Sequence, residues 1–358
     1  MPKPSTPRRD LYAEVTQKLV AAIEANPGDV KMPWRRTSGQ ALWRPTNALT
    51  GKHYRGINVV MLWGAAETQV TAEGRPLDSN QWATYAQWQE IGAQVRKGEK
   101  SSLIVKYGEY EVATEPSDSG KADDDGRRLY LKAYNVFNAA QVDNFALPEA
   151  PPPLGPLERI QAAETFVANT GATIVEGGER ACYVPSRDEI HMPDEALFTG
   201  TETMSRAESY AAVKLHEALH WTSHASRLNR ELGKRFGDHQ YAAEELIAEI
   251  GSALICAELG VSQDVRADHA QYLAHWLQIM KADAKAIFTA AAAAERAADF
   301  LKGLQPPGAD PVNDRALDVY DAQMRQAAVD EQRHAEPPHR PPDNAPANRR
   351  TPRPRRMP

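Results

Sequence analysis

His216-Glu217-Ala218-Leu219-His220 places two histidines four residues apart, with a glutamate directly after the first. Four residues make about one helical turn, so both imidazoles fall on one face and can reach one ion. The glutamate can touch a water at that ion without being a ligand, which is the position a general base needs. The five residues therefore demand a helix. A tetrahedral site with one open position also demands a third protein ligand from a neighbouring element.

The next helical run supplies candidates. In Ala243-Glu244-Glu245-Leu246-Ile247-Ala248-Glu249-Ile250-Gly251, the apolar stripe of Leu246, Ile250, Ala253 and Leu254 leaves Glu245 and Glu249 on a shared neighbouring face. Glu245 is read as the third ligand. Glu249 is read as the carboxylate that accepts the other N–H of a ligating histidine and fixes its tautomer. Glu244 competes for the ligand role. The Glu-x-x-x-Glu spacing resembles the gluzincin arrangement. His224 extends the same face by another turn, over ~5 Å along the axis, and reads as a substrate contact or cap rather than a ligand. The expected cofactor is one Zn²⁺ per chain, the expected activity is peptide hydrolysis, and Glu217 is the proton carrier. The strand around Glu189–Met192 is expected to offer an edge for an extended peptide. Tyr183, Tyr241 and His224 are candidates for holding an oxyanion. The alternative is a catalytically silent site with a structural zinc.

Outward from this motif, few strands and a long helical run predict an α+β fold rather than a doubly wound sheet. A helix over about 157–170 precedes short strands near 172–176, 181–184 and 189–192. Helices are expected at about 204–224, 240–259, 267–280 and 282–303. Upstream, helical spacing marks 10–26, 57–66 and 79–92, the last capped by Asp78 or Ser79. Ser101–Tyr110 and Leu129–Phe137 read as strands around a solvated loop carrying Asp118 and Asp123-Asp124-Asp125. Residues 148–156 form a proline-rich linker. The expected organisation is a domain over 10–147, the linker, a metallopeptidase domain over 157–304 and a Pro/Arg-rich tail over 305–358. A helix at Asp314–Arg333 and disorder beyond Glu336 are expected within that tail.

The totals set outer bounds. The chain has 358 residues, long enough for two domains. A net charge of −6 gives no global attraction to nucleic acid, so any polyanion site is a local patch. Two cysteines, Cys182 and Cys256, make no disulfide framework and favour a reduced, cytoplasmic setting. No apolar run suits a membrane span, and the first residues lack the apolar core of an export signal.

One local patch is evident. Residues 31–63 contain Trp34, Trp43, Tyr54 and Trp63 interleaved with Lys31, Arg35, Arg36, Arg44, Lys52 and Arg55, and contain no acid. Arg96, Lys97 and Lys100 form a second basic cluster. Stacking aromatics among cations suit a single-stranded nucleic-acid groove. Trp63, Trp82 and Trp88 fall at helical spacing among apolar residues and read as core.

Taken together the halves resemble the ArdC-type antirestriction proteins of conjugative plasmids and their chromosomal relatives. Upstream, the resemblance rests on Trp43-Arg44-Pro45-Thr46-Asn47, Thr50-Gly51-Lys52-His53-Tyr54-Arg55-Gly56-Ile57-Asn58 and Val136-Phe137-Asn138-Ala139-Ala140-Gln141-Val142. Downstream, it rests on His216 to His224, Ser226-Arg227-Leu228-Asn229-Arg230 and Tyr241 to Glu249. It implies a single-stranded-DNA-binding domain followed by a zincin-type metallopeptidase, and a protein that protects incoming plasmid DNA from host restriction. Asn47 and Asn58 join the expected DNA contacts with Trp34, Arg35, Arg36, Trp43, Arg44, Lys52, Tyr54, Arg55, Arg96, Lys97 and Lys100. The partners implied are single-stranded DNA and an unidentified protein substrate, with no membrane. The oligomeric state is not implied.

Overall fold

The segment Ile57-Asn58-Val59-Val60-Met61-Leu62-Trp63-Gly64-Ala65 is apolar nearly all round, so a helix built from it must be covered on every side. In a computed structural model describing residues 9–24, 43–111, 127–146, 154–201, 204–230, 239–261 and 270–307, it forms α2 (Ile57–Thr68), with Val59, Val60, Leu62 and Trp63 buried. The preceding Gly56 sits at φ 56°, where a side chain would be strained. Its N–H donates to Glu295 across 3.0 Å.

Around α2 the amino-terminal half builds α1 (Leu11–Glu24) and a four-stranded sheet ordered β1-β2-β5-β4. These strands are β1 (Thr46–Asn47), β2 (Gln81–Thr84), β4 (Ser102–Glu111) and β5 (Arg127–Asn138). β4 and β5 form a long antiparallel ribbon, with Lys106 opposite Lys132 and Ser102 opposite Val136. A small pair, β3 (Gln94–Val95) and β6 (Val142–Asp143), lies beside it. The helix expected over 79–92 is corrected: it is strand β2 followed by the short α3 (Tyr85–Glu90). Trp82 and Ala83 pair with Asn138 and Phe137 and are buried, so this strand shows no apolar–polar alternation. The cap is Thr84, in a capping box with Gln87, not Asp78 or Ser79.

The carboxy-terminal half opens with α4 (Pro156–Asn169). Its sheet comprises β7 (Thr173–Glu176), β8 (Cys182–Val184) and β9 (Glu189–Met192), ordered β7-β9-β8. Helices α5 (Arg206–Trp221), α6 (His239–Leu259), α7 (Ala270–Ala282) and α8 (Ala286–Gly303) follow. The architecture is α+β, as the sequence predicts. β9 runs between two partners, so the free edge expected at Glu189–Met192 is not there; among the described residues the edge strands of this sheet are β7 and β8. The acidic loop, residues 148–153 of the expected linker and the expected helix at Asp314–Arg333 lie outside the described residues, and the linker's last residue, Pro156, is corrected to the first of α4.

The two halves meet through packed helices. α1 lies on α7 and α2 on α8, and one apolar cluster runs from Val15 and Val60 to Leu215 and Ala294. Tyr12 meets Phe288 edge-on with ring centroids 4.7 Å apart, and Thr16 donates to the Ala284 carbonyl across 2.7 Å. No helix among the described residues is long and apolar enough to cross a membrane.

Candidate functional site

Ser205 starts α5 with a capping box to Glu208, and the helix then runs into the core with His216, Glu217 and His220 all buried. α6 packs directly alongside. Its Gly251 allows this approach, because a Cβ there would stand 2.6 Å from Leu219 Cδ1 and 3.0 Å from Cγ. The close packing carries Glu245 to the histidine face.

His216 Nε2 and His220 Nε2 lie 3.1 Å apart, and the Glu245 carboxylate oxygens stand 3.5 Å from each. These three side chains form the group whose donor atoms converge closely enough to hold a metal ion. A tetrahedral ion with bonds of ~2.1 Å has ligand–ligand edges of about 3.4 Å. The separations, with a different Glu245 oxygen nearest each histidine, are of that size, so the donor set fits the implied ion.

Carboxylates stand behind the rings. His216 Nδ1 faces Glu249 at 3.6 Å, longer than a hydrogen bond, and His220 Nδ1 lies 3.4 Å from Glu244. Protons on the two Nδ1 atoms leave both Nε2 lone pairs pointing at the common centre. Burial alone would lower the His220 pKa, but Glu245 and Glu244 hold it well above the usual histidine range. Glu245 is pulled below the ordinary carboxylate range, the two histidines outweighing its own desolvation. Glu244 is lowered likewise, by His220 and Arg230 against burial.

Glu217 is held from the sheet: the Tyr183 N–H donates to its Oε2 across 2.9 Å. That N–H projects from the outer side of β8, so the edge strand and the buried carboxylate meet. The Tyr183 hydroxyl is turned elsewhere, donating to Asp188 across 2.9 Å, while burial and Asp188 push its pKa up to about 12. Arg227 holds Asp188 from the other side and stacks 3.7 Å from the centroid of Trp221. The hydroxyl is thereby committed to this cluster rather than to an oxyanion.

His224 does not continue the histidine face. α5 ends at Trp221, and the chain turns back so that Leu228 N–H reaches the Thr222 carbonyl. His224 Nδ1 instead lies 2.8 Å from Ser226 Oγ. Tyr241 is half-buried against the core. Cys182 is exposed on β8, contrary to its apolar sequence surroundings, whereas Cys256 is buried with its thiol pushed up to about 12.

The expected DNA contacts fare unevenly. Trp34, Arg35 and Arg36 lie outside the described residues. Arg44 is corrected: it is 3 % exposed and paired with Glu258 of α6 and Glu295 of α8. Asn58 is corrected as well, because its amide brackets the edge of β4, bonding the Val105 N–H and carbonyl at 2.8 Å each. Asn47 accepts from the N–H groups of Leu49 and Thr50 and donates to Tyr54, whose hydroxyl reaches the Trp82 carbonyl. Arg96 holds the Ala140 and Val142 carbonyls and Glu99. These polar groups build the frame. Trp43 is half-buried, Arg55 is exposed but paired with Asp299, and Lys52, Lys97 and Lys100 are exposed.

Residues 9–137 match the model for the N-terminal domain of anti-restriction factor ArdC, and residues 161–293 match the zincin-like metallopeptidase model. The crystal structure of the antirestriction ArdC protein from plasmid R388, in its metal-free form, is 42% identical with a TM-score of 0.63, covering 83% of this chain and 98% of that one. The chain belongs to the ArdC antirestriction family. The Mn(II)-bound structure of R388 ArdC compares at 40% identity and a TM-score of 0.62, over the same 83% and 98%. Protein y4eC of Sinorhizobium fredii (strain NBRC 101917 / NGR234) is 42% identical over 306 residues, 84% of this chain and 94% of that protein. The DNA primase TraC of Escherichia coli is 35% identical over 315 residues, 82% of this chain but only 27% of the primase. This ArdC-family chain thus joins the family's amino-terminal domain to a zincin-like metallopeptidase domain.

Proposed function

We propose that the protein docks on single-stranded DNA through its amino-terminal half and cleaves a protein there with a zinc-dependent peptidase site. The outcome is protection of incoming plasmid DNA from restriction in the cytoplasm. The observation that carries this reading is the triangle of His216, His220 and Glu245 with Glu217 beside it. The Mn(II)-bound form of R388 ArdC supports a divalent ion in this family, and the likeness to a DNA primase supports work on DNA.

His216, His220 and Glu245 would hold the ion, with Glu249 and Glu244 keeping the two rings in the tautomer that directs Nε2 inward. Bound Zn²⁺ supplies a Lewis acid that polarises a scissile carbonyl and lowers the pKa of a water toward ~7. Glu217, aimed by the Tyr183 N–H, accepts the attacking water's proton on its carboxylate and passes it to the departing amine nitrogen. The same N–H is the outward donor of β8, so it is committed to aiming this carboxylate. The shared core fixes the peptidase beside whatever strand the other half holds, raising its effective concentration near DNA-bound proteins.

The test is Glu217→Gln, assayed for metal content, oligonucleotide binding, proteolysis with and without single-stranded DNA, and antirestriction in conjugation. Metal and DNA binding are expected to persist while proteolysis and protection are lost. Full protection by the variant would sink the protease mechanism and leave a DNA-binding protein with a structural metal.

A further inference from the structure

The β4–β5 ribbon has two unlike faces. Leu103 and Val105 on β4 and Leu131 and Ala133 on β5 point inward, against the core shared with α1 and α2. The register places the other face in two parts: Ser102, Ile104 and Val136 pack inward at one end, and Lys106, Gly108, Tyr130, Lys132 and Tyr134 lie together at the other. There Lys106, Lys132 and Tyr130 are exposed, and Tyr134 is half-buried with Lys132 Nζ 5.1 Å from its ring centroid. No acidic residue shares this face within the described part of the ribbon, from Ser102 to Gly108 and from Tyr130 to Asn138.

One pairing there is unfavourable for folding. Lys106 and Lys132 are direct cross-strand partners, and like charges directly opposite destabilise a sheet. Among the described residues, neither lysine forms an ion pair with a carboxylate. Two facing ammonium groups between tyrosines at two-residue spacing form a surface suited to a polyanion with flat bases. A cleft beside Tyr85 and Lys97 carries Glu99 and Asp143 on its wall and is the poorer match.

We propose that this outer face is the docking platform for single-stranded DNA, with phosphates on Lys106 and Lys132 and bases stacked on Tyr130 and Tyr134. The assignment rests on the DNA-binding reading above and gives it an address. Tyr130 also has a structural task, since its ring lies over Gly108, where any Cβ would collide with it. Tyr134 has no such task and is the cleaner probe.

The experiment is fluorescence-anisotropy titration of a labelled oligothymidylate against the full chain from 50 to 300 mM salt, for wild type, Lys106→Gln/Lys132→Gln and Tyr134→Leu. The double variant is expected to flatten the slope of log K against log salt by about 1.4, at ~0.7 per phosphate contact on a single strand. Tyr134→Leu should weaken binding roughly five- to hundredfold with an unchanged slope. The double variant should melt no lower than wild type, because its repulsive pair is gone. Photocrosslinking with 5-iodouracil oligonucleotides should label Tyr130 or Tyr134. Wild-type slope and affinity in all variants, or crosslinks confined to Trp43, Tyr54 or Tyr85, would overturn the platform while DNA binding itself stands. Absence of any salt-dependent binding by wild type would instead remove the reading beneath it.

Discussion

Arg230 grips Glu244 with two hydrogen bonds, Nε to Oε2 at 3.0 Å and Nη2 to Oε1 at 2.6 Å. The guanidinium also donates to the Thr222 hydroxyl and the Leu219 carbonyl, tying the turn after α5 to the start of α6. Glu244 is therefore engaged behind His220, while its neighbour Glu245 faces the gap between the two Nε2 atoms.

This division of labour yields a difference between adjacent residues. Glu245→Gln should abolish tight divalent-metal binding in competition with a chelating dye. Glu244→Gln should weaken it by about 10- to 100-fold, the usual cost of losing a partner that orients a ligand. Thermal melts of both metal-free variants control for the loss of an ion pair to Arg230. Retained tight binding in Glu245→Gln, with loss in Glu244→Gln, would reverse the two roles.

The buried contact of Arg44 with Glu258 and Glu295 crosses from one half of the molecule to the other. Burial alone would depress the Arg44 pKa, but the two carboxylates more than reverse that. Arg44→Met strands two buried acids, a change that costs about 3–5 kcal/mol when one partner of a buried pair is removed. Urea unfolding should show that loss. Were Arg44 instead a phosphate contact, the variant would lose oligonucleotide affinity at unchanged stability.

That contact also marks where sequence reasoning stops. His216, Glu217 and His220 are legible because their spacing is local, and Glu245 because its helix is periodic. Arg44 looks like its exposed neighbours in a basic stretch. Only the arrival of two carboxylates that each lie more than 200 positions away along the chain makes it structural. Asn58 is similar, since an amide bracket on β4 depends on a helix arriving 47 residues before its target. Arg230 and the Asp188–Arg227 pair carry no periodic signal either, because a turn folding back brings them into place. The two tyrosines and the lysine of β5 do carry one: Tyr130, Lys132 and Tyr134 alternate with Leu131 and Ala133. Such a face appears only at period two, whereas aromatic–basic density along the chain peaks at residues 31–63.

Gly251 sets the spacing on which the metal centre depends. Its α6 backbone lies against Leu219, the residue just before His220, and two positions after Glu249. Leu219 is fully buried, so an added methyl at 251 has to be met by a shift of the side chain or of the helices. Gly251→Ala gains helix propensity of about 1 kcal/mol, but overpacking of this kind costs about 1–3 kcal/mol. The net expectation is a modest loss of stability together with weaker metal binding, as α6 moves Glu245 away from the histidines. Chelator competition and thermal melting on the same preparation read both effects. A variant that melts higher and keeps full metal affinity would show that Leu219 yields alone and that the helix spacing is set elsewhere.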